Sequence, residues 1–541
     1  MVDVQQGFTV LDVVLTLVPV VLVFVLMAAF KIAGDISGVI GWIAVVAVAV
    51  LFFSTPLEVA LLASWKGVLA SMAITGMTIF AILQITFIQE TGALKRIVTT
   101  IKTIAKKDKV AQIMILNVCI GTILVSVGAT PVTILPPILL AMGYTTVLAI
   151  ALPALGFDAL CTYAMLGVSV VVMSDILTGA GFTIDGQAPT VQTVSMFFAR
   201  YLPFVTPCIC AAMTLMVGGP RLLAKGIVPI LITGLSLGLT AMAVAYIGIG
   251  VVLTGVIAGV VGLACMLLYL KARRMPLFDR SDLTAEDLST EKSMPLWKAL
   301  SPWGLLIVFC LLTNFVGPLY DFLYKSLEMR VFVFPGDAGQ PMRILWNAYF
   351  WVLVSTLLAT FIIRPQKGTW SRVVKKWGKR FYRPTIASLA FFMLAYVMMY
   401  SANVPSPESG VWGQPDPSRN MIYIWAMTAA DAFSWAYPIA NSFLGLISGF
   451  VTGSEASTIA LFAKYNLISS DVLGLNPLYV IAGGGIGAGL ASVITPVKLQ
   501  QASATIDRVG EESMVLRKVF GYAVCLVAVS AALTMIFCTI G

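Results

Sequence analysis

PIANSFLGLISGFVTGSEASTIALFAKYN, residues 438–466, is an apolar run broken in its middle by Thr452-Gly453-Ser454-Glu455. A polar, glycine-containing break halfway along predicts a helical hairpin that enters a membrane and returns, rather than one crossing helix. Non-helical backbone at membrane depth is tolerated only where it faces protein or a water-filled cavity. The rest of the chain supplies the membrane. Hydrophobic residues make up 59% of the 541 and charged residues 11%, with mean hydropathy +0.96. That leaves too little polar surface to coat a soluble globule. Apolar runs at 11–30, 37–53, 226–247, 249–270 and 517–537 have the length a bilayer-crossing helix needs. Because lipid leaves no partner for unpaired backbone groups, the expected fold class is an all-α polytopic membrane protein. About 12 spanning helices are expected at bilayer length.

Charge placement sets the topology. Residues 94–109 carry Lys95, Arg96, Lys102, Lys106, Lys107 and Lys109 against Asp108, and 364–383 carry eight Lys and Arg with no acid. The segment 271–298 is mixed but contains Lys271, Arg273, Arg274 and Arg280. The positive-inside rule makes all three cytoplasmic. The loops 176–195 and 402–418 have no Lys or Arg and are expected outside. These sides agree only if the charge-free stretch 110–142, broken by Gly128, Pro131, Pro136 and Pro137, is a second re-entrant hairpin. It would enter from the face opposite to that of 438–466.

Each hairpin is followed by an interrupted span. In the first half it covers 145–175, with Gly156 and Asp158 near its centre. In the second it covers 476–506, where Gly483, Gly484, Gly485, Gly487 and Gly489 precede Thr495-Pro496. Two hairpins and two broken helices in reversed orientation are the pattern of an inverted repeat with a binding site at the midplane. The expected division is scaffold helices at 1–66 and 226–383, one repeat at 67–225 and the other at 384–541. The first 30 residues hold acids but no Lys or Arg. A secretory signal needs a basic start, so the first span is expected to be retained, with the N-terminus outside.

The candidate site residues gather at these breaks. Glu455 is a carboxylate at membrane depth, costly unless paired or protonated. Burial disfavours its charged form, which suits a group that gains and loses a proton; a helix cap or structural ion pair is the alternative. Lys498 follows the Thr495-Pro496 break and is a counter-charge for an anion, a partner for Glu455 or Asp158, or a snorkelling helix-end lysine. Asp158 is a coupling-ion or proton site, or a helix cap. Gly128, Thr130 and Thr133 at the first tip, Thr452, Gly453, Ser454, Ser457 and Thr458 at the second, and Thr495, Gln500 and Gln501 near the break supply neutral hydrogen-bonding groups. Helix N-termini at tips and breaks add partial positive charge. Asp431, Trp425 and Trp435 at 419–435, and the amphipathic stretch 93–106, are expected at the membrane interface.

Composition also excludes chemistry. The chain has no histidine, which removes His-based acid–base catalysis and His-ligated metal. The eight cysteines fall in apolar stretches without CxxC spacing, where packing accounts for them. The net charge of +9 sits in membrane-flanking loops, so nucleic acid is not an expected partner. No cofactor is expected beyond a coupling ion.

FVTGSEASTIALF (450–462), ITPVKLQQASA (494–504) and DRVGEES (507–513) together resemble the L-lactate permease family, and TPVTI (130–134) resembles its first half. The resemblance implies uptake of lactate or glycolate, generally with protons. It also implies an elevator movement as in the wider ion-transporter superfamily, and a homodimer formed through the scaffold. Glu455 matches the family's acidic hairpin residue, with Thr452, Gly453, Ser454 and Ser457 as its neighbours. Two departures stand out. LVSVGA (124–129) lacks the family's first-hairpin acid, and Thr495-Pro496-Val497-Lys498 replaces its Ser-Pro-Gln-Ser. One negative group lost and one positive gained favour a more anionic substrate or a different coupling arrangement. The expected function is secondary transport of small organic anions across the cytoplasmic (inner) membrane, coupled to H+ or Na+, with short carboxylates first and a sulfonate or dicarboxylate as alternatives. A membrane enzyme or respiratory subunit, or a passive channel, are the rival classes.

Overall fold

The computed structural model describes residues 9–105, 108–126, 130–179, 181–248, 250–281, 283–335, 339–405, 412–413 and 416–540. Among them, ten helices are long and apolar enough to cross a bilayer. Counting the bent pair Ser301–Thr313 and Gly317–Ser326 as one span gives eleven, close to the expected dozen. Strand is confined to two short ribbons, Met329–Val331 with Gln340–Met342 and Val404–Pro405 with Trp412–Gly413. The chain is an all-α polytopic membrane protein.

Two helices are the longest among the described residues. Leu57–Glu90 has 34 residues and Thr369–Met399 has 31; at about 1.5 Å per residue the first is roughly 50 Å long. They pack along one another, and the approach is close. A Cβ on Gly67 would lie 2.8 Å from the Phe392 carbonyl oxygen, so only glycine fits. The expected boundaries at 66/67 and 383/384 fall inside these two unbroken helices, whereas 225/226 falls between Leu202–Lys225 and Ile227–Ile247.

The basic loops meet at one end of the bundle. Ile104 bridges to Phe278, Arg96 pairs with Glu291 at 3.3 Å, and Arg372 and Lys376 reach Glu90. Of the described residues in 402–418, Trp412 donates its backbone N–H to the Pro335 carbonyl.

The same order of elements occurs twice. In the first half come Lys109–Ser126 and Pro131–Ala141; residues 127–129 between them, including Gly128, lie outside the described residues. The two ends of this unit meet, since the Lys109 ammonium sits 5.2 Å from the Tyr144 ring centroid. Asp108 starts the first arm by accepting from the Val110 and Ala111 N–H groups, both at 3.0 Å. Proline at 131 opens the second arm, where its missing N–H has no helical partner to lose. Thr146–Phe157, an irregular 3-10 stretch at Asp158–Leu166 and Val168–Gly179 follow. The chain breaks later than Gly156: Leu160, Ala164 and Met165 leave helical geometry, and Met165 takes φ 48°, a strained value for a side chain of its size.

In the second half, Tyr437–Thr452 and Glu455–Leu473 join through Gly453 at φ 67°, the left-handed turn that glycine makes at low cost. Pro477–Leu490, a short turn at Ala491–Val493 and Pro496–Thr505 follow. The glycine run lets hairpin and broken helix touch backbone to backbone. A Cβ on Gly445 would meet the Gly484 carbonyl oxygen at 2.0 Å. Pro496 does not distort a continuing helix; it begins a new one behind Thr495.

Two arginines of Thr369–Met399 tie the second broken helix down. Arg383 grips Asp35 at 2.8 and 2.9 Å, and Gln500 donates to the same carboxylate at 2.8 Å. Arg380 donates to Asp507 and Gln89, both at 2.6 Å. Burial pushes the Asp507 carboxyl up, but the hydrogen-bonded Arg380 guanidinium outweighs it and holds that group below the usual carboxylate range. The expected interfacial helix, Met421–Phe433, is mostly buried. Trp425 is 4% exposed and donates to Thr16, whereas Trp435 is 71% exposed.

Candidate functional site: a cavity at the helix breaks

Three helices begin around one cavity. Ser454 caps Glu455–Leu473 by accepting from the Ser457 N–H at 3.2 Å, which places Glu455 in the first turn, where the helix dipole favours negative charge. Thr130 precedes Pro131–Ala141, and Thr495 precedes Pro496–Thr505. The Thr-Pro-Val sequence is the same at 130–132 and 495–497, so each half of the chain starts a helix here in the same way. Exposed N–H groups at such starts attract anions.

The cavity holds about 380 Å3, and its polar corner is lined by Thr130, Glu455, Ser457, Ser492, Lys498 and Gln501. Thr452, Gly453 and Ser454 also line it. Glu455 is 6% exposed and Lys498 8%. Thr162 donates to Glu455 Oε1 at 2.9 Å, so a hydroxyl in the first broken helix touches the carboxylate of the second hairpin. Lys498 Nζ donates to Ser492 Oγ and lies 3.6 Å from the Phe157 ring centroid, a cation–π contact between the two halves. Gln501 donates to Thr78 on the long helix Leu57–Glu90.

Three of the candidate threonines make local contacts. Thr133 is buried and donates to the Thr130 carbonyl at 2.8 Å. Thr458 lies within hydrogen-bond reach of Ser448 and Thr452, at 2.9 and 3.3 Å, stitching the hairpin arms together. Thr495 donates to the Gly449 carbonyl at 3.1 Å and fastens the hairpin to the broken helix. None of the three is among the cavity-lining residues. Asp158 starts the irregular stretch, but its side chain lies outside the described residues, as does Gly128.

Sequence reasoning missed Thr162, Ser492 and Phe157, which sit in or beside the breaks without a motif of their own. It also missed Arg343, which lines the cavity from the segment after the Gln340–Met342 strand. Arg343 pairs with Glu328, donates to the Tyr324 carbonyl at 3.1 Å and stacks 3.9 Å from the Tyr324 ring centroid. Burial raises the Glu328 carboxyl, but hydrogen bonds from Arg343 and Arg330 outweigh it and keep that group low. A charge count could have flagged Arg343; its place at the cavity needed the fold.

Fold and cavity together define a class: a multi-pass helical membrane protein whose interrupted helices wall a cavity lined by Glu455, Lys498 and Arg343. Within that class the chain belongs to the L-lactate permease family, whose sequence profile matches residues 12–541. Among its relatives is the L-lactate permease of Bacillus subtilis, 22% identical over 98% of this chain and 96% of that protein. The L-lactate permease of Halalkalibacterium halodurans is 23% identical over 80% of this chain and 79% of its own length. Glycolate permease GlcA of Escherichia coli is 20% identical over 97% and 95%. At these identities the chain is a divergent member.

Proposed function

We propose that the protein is a secondary active transporter that carries short organic monocarboxylates, such as lactate and glycolate, across the cytoplasmic membrane. The carrying observation is the meeting of a buried ammonium, Lys498, and three helix N-termini at one cavity corner. A carboxylate placed there gains a charge-assisted hydrogen bond and aligned backbone dipoles, in surroundings where both are stronger than in water. The names of the relatives support carboxylate over sulfonate or dicarboxylate cargo.

In this reading the hairpins 110–142 and 438–466 are re-entrant and related as an inverted repeat. Together with the broken helices they move as an elevator against a scaffold built from 1–66 and 226–383. The long helices Leu57–Glu90 and Thr369–Met399 join the two bodies, the N-terminus lies outside, and scaffolds pair into a homodimer. Glu455 and Asp158 couple an H+ or Na+ gradient to movement. The Thr162–Glu455 contact supports this, because the carboxylate of one half reports to the broken helix of the other.

Thermal unfolding of the purified protein tests the binding half of the proposal. Lactate and glycolate at about 100 times their Kd are expected to add about 2.7 kcal/mol of stability, a rise of several degrees in Tm. No shift with any short carboxylate at tens of millimolar, against an ionic-strength control, would contradict it.

A further inference from the structure

We propose that the preferred cargo is larger than lactate: a monocarboxylate carrying an apolar body of several more carbons. The inference rests on the transport reading above and sharpens it.

The cavity is much larger than a three-carbon hydroxy acid, which displaces a volume on the order of 90 Å3, the share of about three waters. The 380 Å3 available falls in the range of about 300–1,000 Å3 seen for sites that enclose much larger ligands. The lining is also mixed. Charged and hydroxyl groups stand where Glu455–Leu473 and Pro496–Thr505 begin, with Ser169, Gln340, Arg343 and Asn347 as further polar lining. Much of the rest is apolar: Leu69, Met72, Ile74 and Met77 on one long helix, Phe392 on the other and Val172 on the first broken helix. Leu69, Met77 and Phe392 are 9%, 7% and 2% exposed, and Met72, Ile74 and Val172 are half-buried. With lactate at the charged corner, that apolar lining would be left facing water. An alkyl or aryl tail would cover it, at a gain proportional to the apolar area removed from water.

A second carboxylate does not fit this lining as well. Arg343 is the further cation among the lining residues described, and it is already paired with Glu328 and stacked on Tyr324. Flexible Met72 and Met77 suit tails of varied shape.

The test is a titration of the purified protein by thermal shift with lactate, 2-hydroxybutanoate, 2-hydroxyhexanoate, 3-phenyllactate and malate. Affinity is expected to tighten by up to roughly fourfold per added methylene, so that 2-hydroxyhexanoate binds at least tenfold tighter than lactate, with malate weaker than both. Affinity that is flat or falls beyond lactate, or malate as the tightest ligand, overturns the inference and leaves the carboxylate reading intact. Failure of every acid overturns the carboxylate reading itself. Ala73→Phe, which places a ring in the apolar part of the cavity, is measured alongside. It should weaken 2-hydroxyhexanoate at least tenfold and lactate less than threefold; equal weakening of both counts against the assignment.

Discussion

Lys498→Gln should lower lactate uptake by roughly 100-fold at subsaturating substrate while the protein still inserts and folds. The reason is local. Lys498 lies at the cavity corner, 8% exposed, and its ammonium bridges Ser492 in one broken helix and the Phe157 ring in the other. A charged hydrogen bond to a buried carboxylate is worth about 1.5–3 kcal/mol, and losing one partner of a desolvated pair costs about 2–5 kcal/mol. At 1.4 kcal/mol per decade the two ranges bracket a loss of about ten- to a few-thousandfold. Glutamine keeps a donor, one bond shorter than lysine, but not the charge. The loss should therefore fall on affinity for anionic cargo more than on the unliganded Tm. Uptake within twofold of the parent protein would mean that the lysine is structural, holding Ser492 and Phe157 in place.

The second large effect concerns coupling. Glu455→Gln should abolish gradient-driven accumulation while leaving exchange of substrate across the membrane in place. Glutamine still accepts from Thr162, so the contact at 2.9 Å between the halves can persist, but the side chain no longer takes up or releases a proton. A pH difference of one unit can drive about tenfold accumulation through a one-proton symport, since each pH unit is worth about 1.4 kcal/mol. The parent protein should approach that ratio in vesicles, and the variant should remain near unity. If an imposed Na+ gradient rather than a pH gradient drives the parent, loss of the Na+ response is the expected result. Unchanged accumulation in the variant would remove Glu455 from the coupling path and leave Asp158 as the remaining candidate carboxyl.

Much of this was readable from the chain. Thr452-Gly453-Ser454-Glu455 marked the second hairpin because a left-handed glycine and a serine cap are the local chemistry of a tight turn between helices. Lysine and arginine placement grouped the basic segments together, and the contacts Arg96–Glu291 and Lys376–Glu90 join them or the helix end beside them. The first broken helix was harder. Its interruption runs from Asp158 to Gly167 through Ala-Leu-Cys-Thr-Tyr-Ala-Met-Leu, a string with no proline or internal glycine to announce it. Packing decides that break, and packing is not written in local propensity. For the same reason Thr162 was invisible: its partner Glu455 is 293 positions away. The threonines at 133, 458 and 495 sit in local contacts that only the fold shows. Being near the break made them candidates, yet local carbonyls and hydroxyls within 3.3 Å engage them.

Solute counterflow bears most directly on the central claim, that the cavity corner around Lys498 and the hairpin tips carries its ligand from one side to the other. Liposomes containing the protein are loaded with unlabelled lactate and diluted into a trace of labelled lactate. A carrier predicts a transient overshoot of label inside, far above equilibrium, that collapses in Lys498→Gln. Label that enters at a rate indifferent to internal lactate, or that does not enter at all, would contradict transport by this cavity.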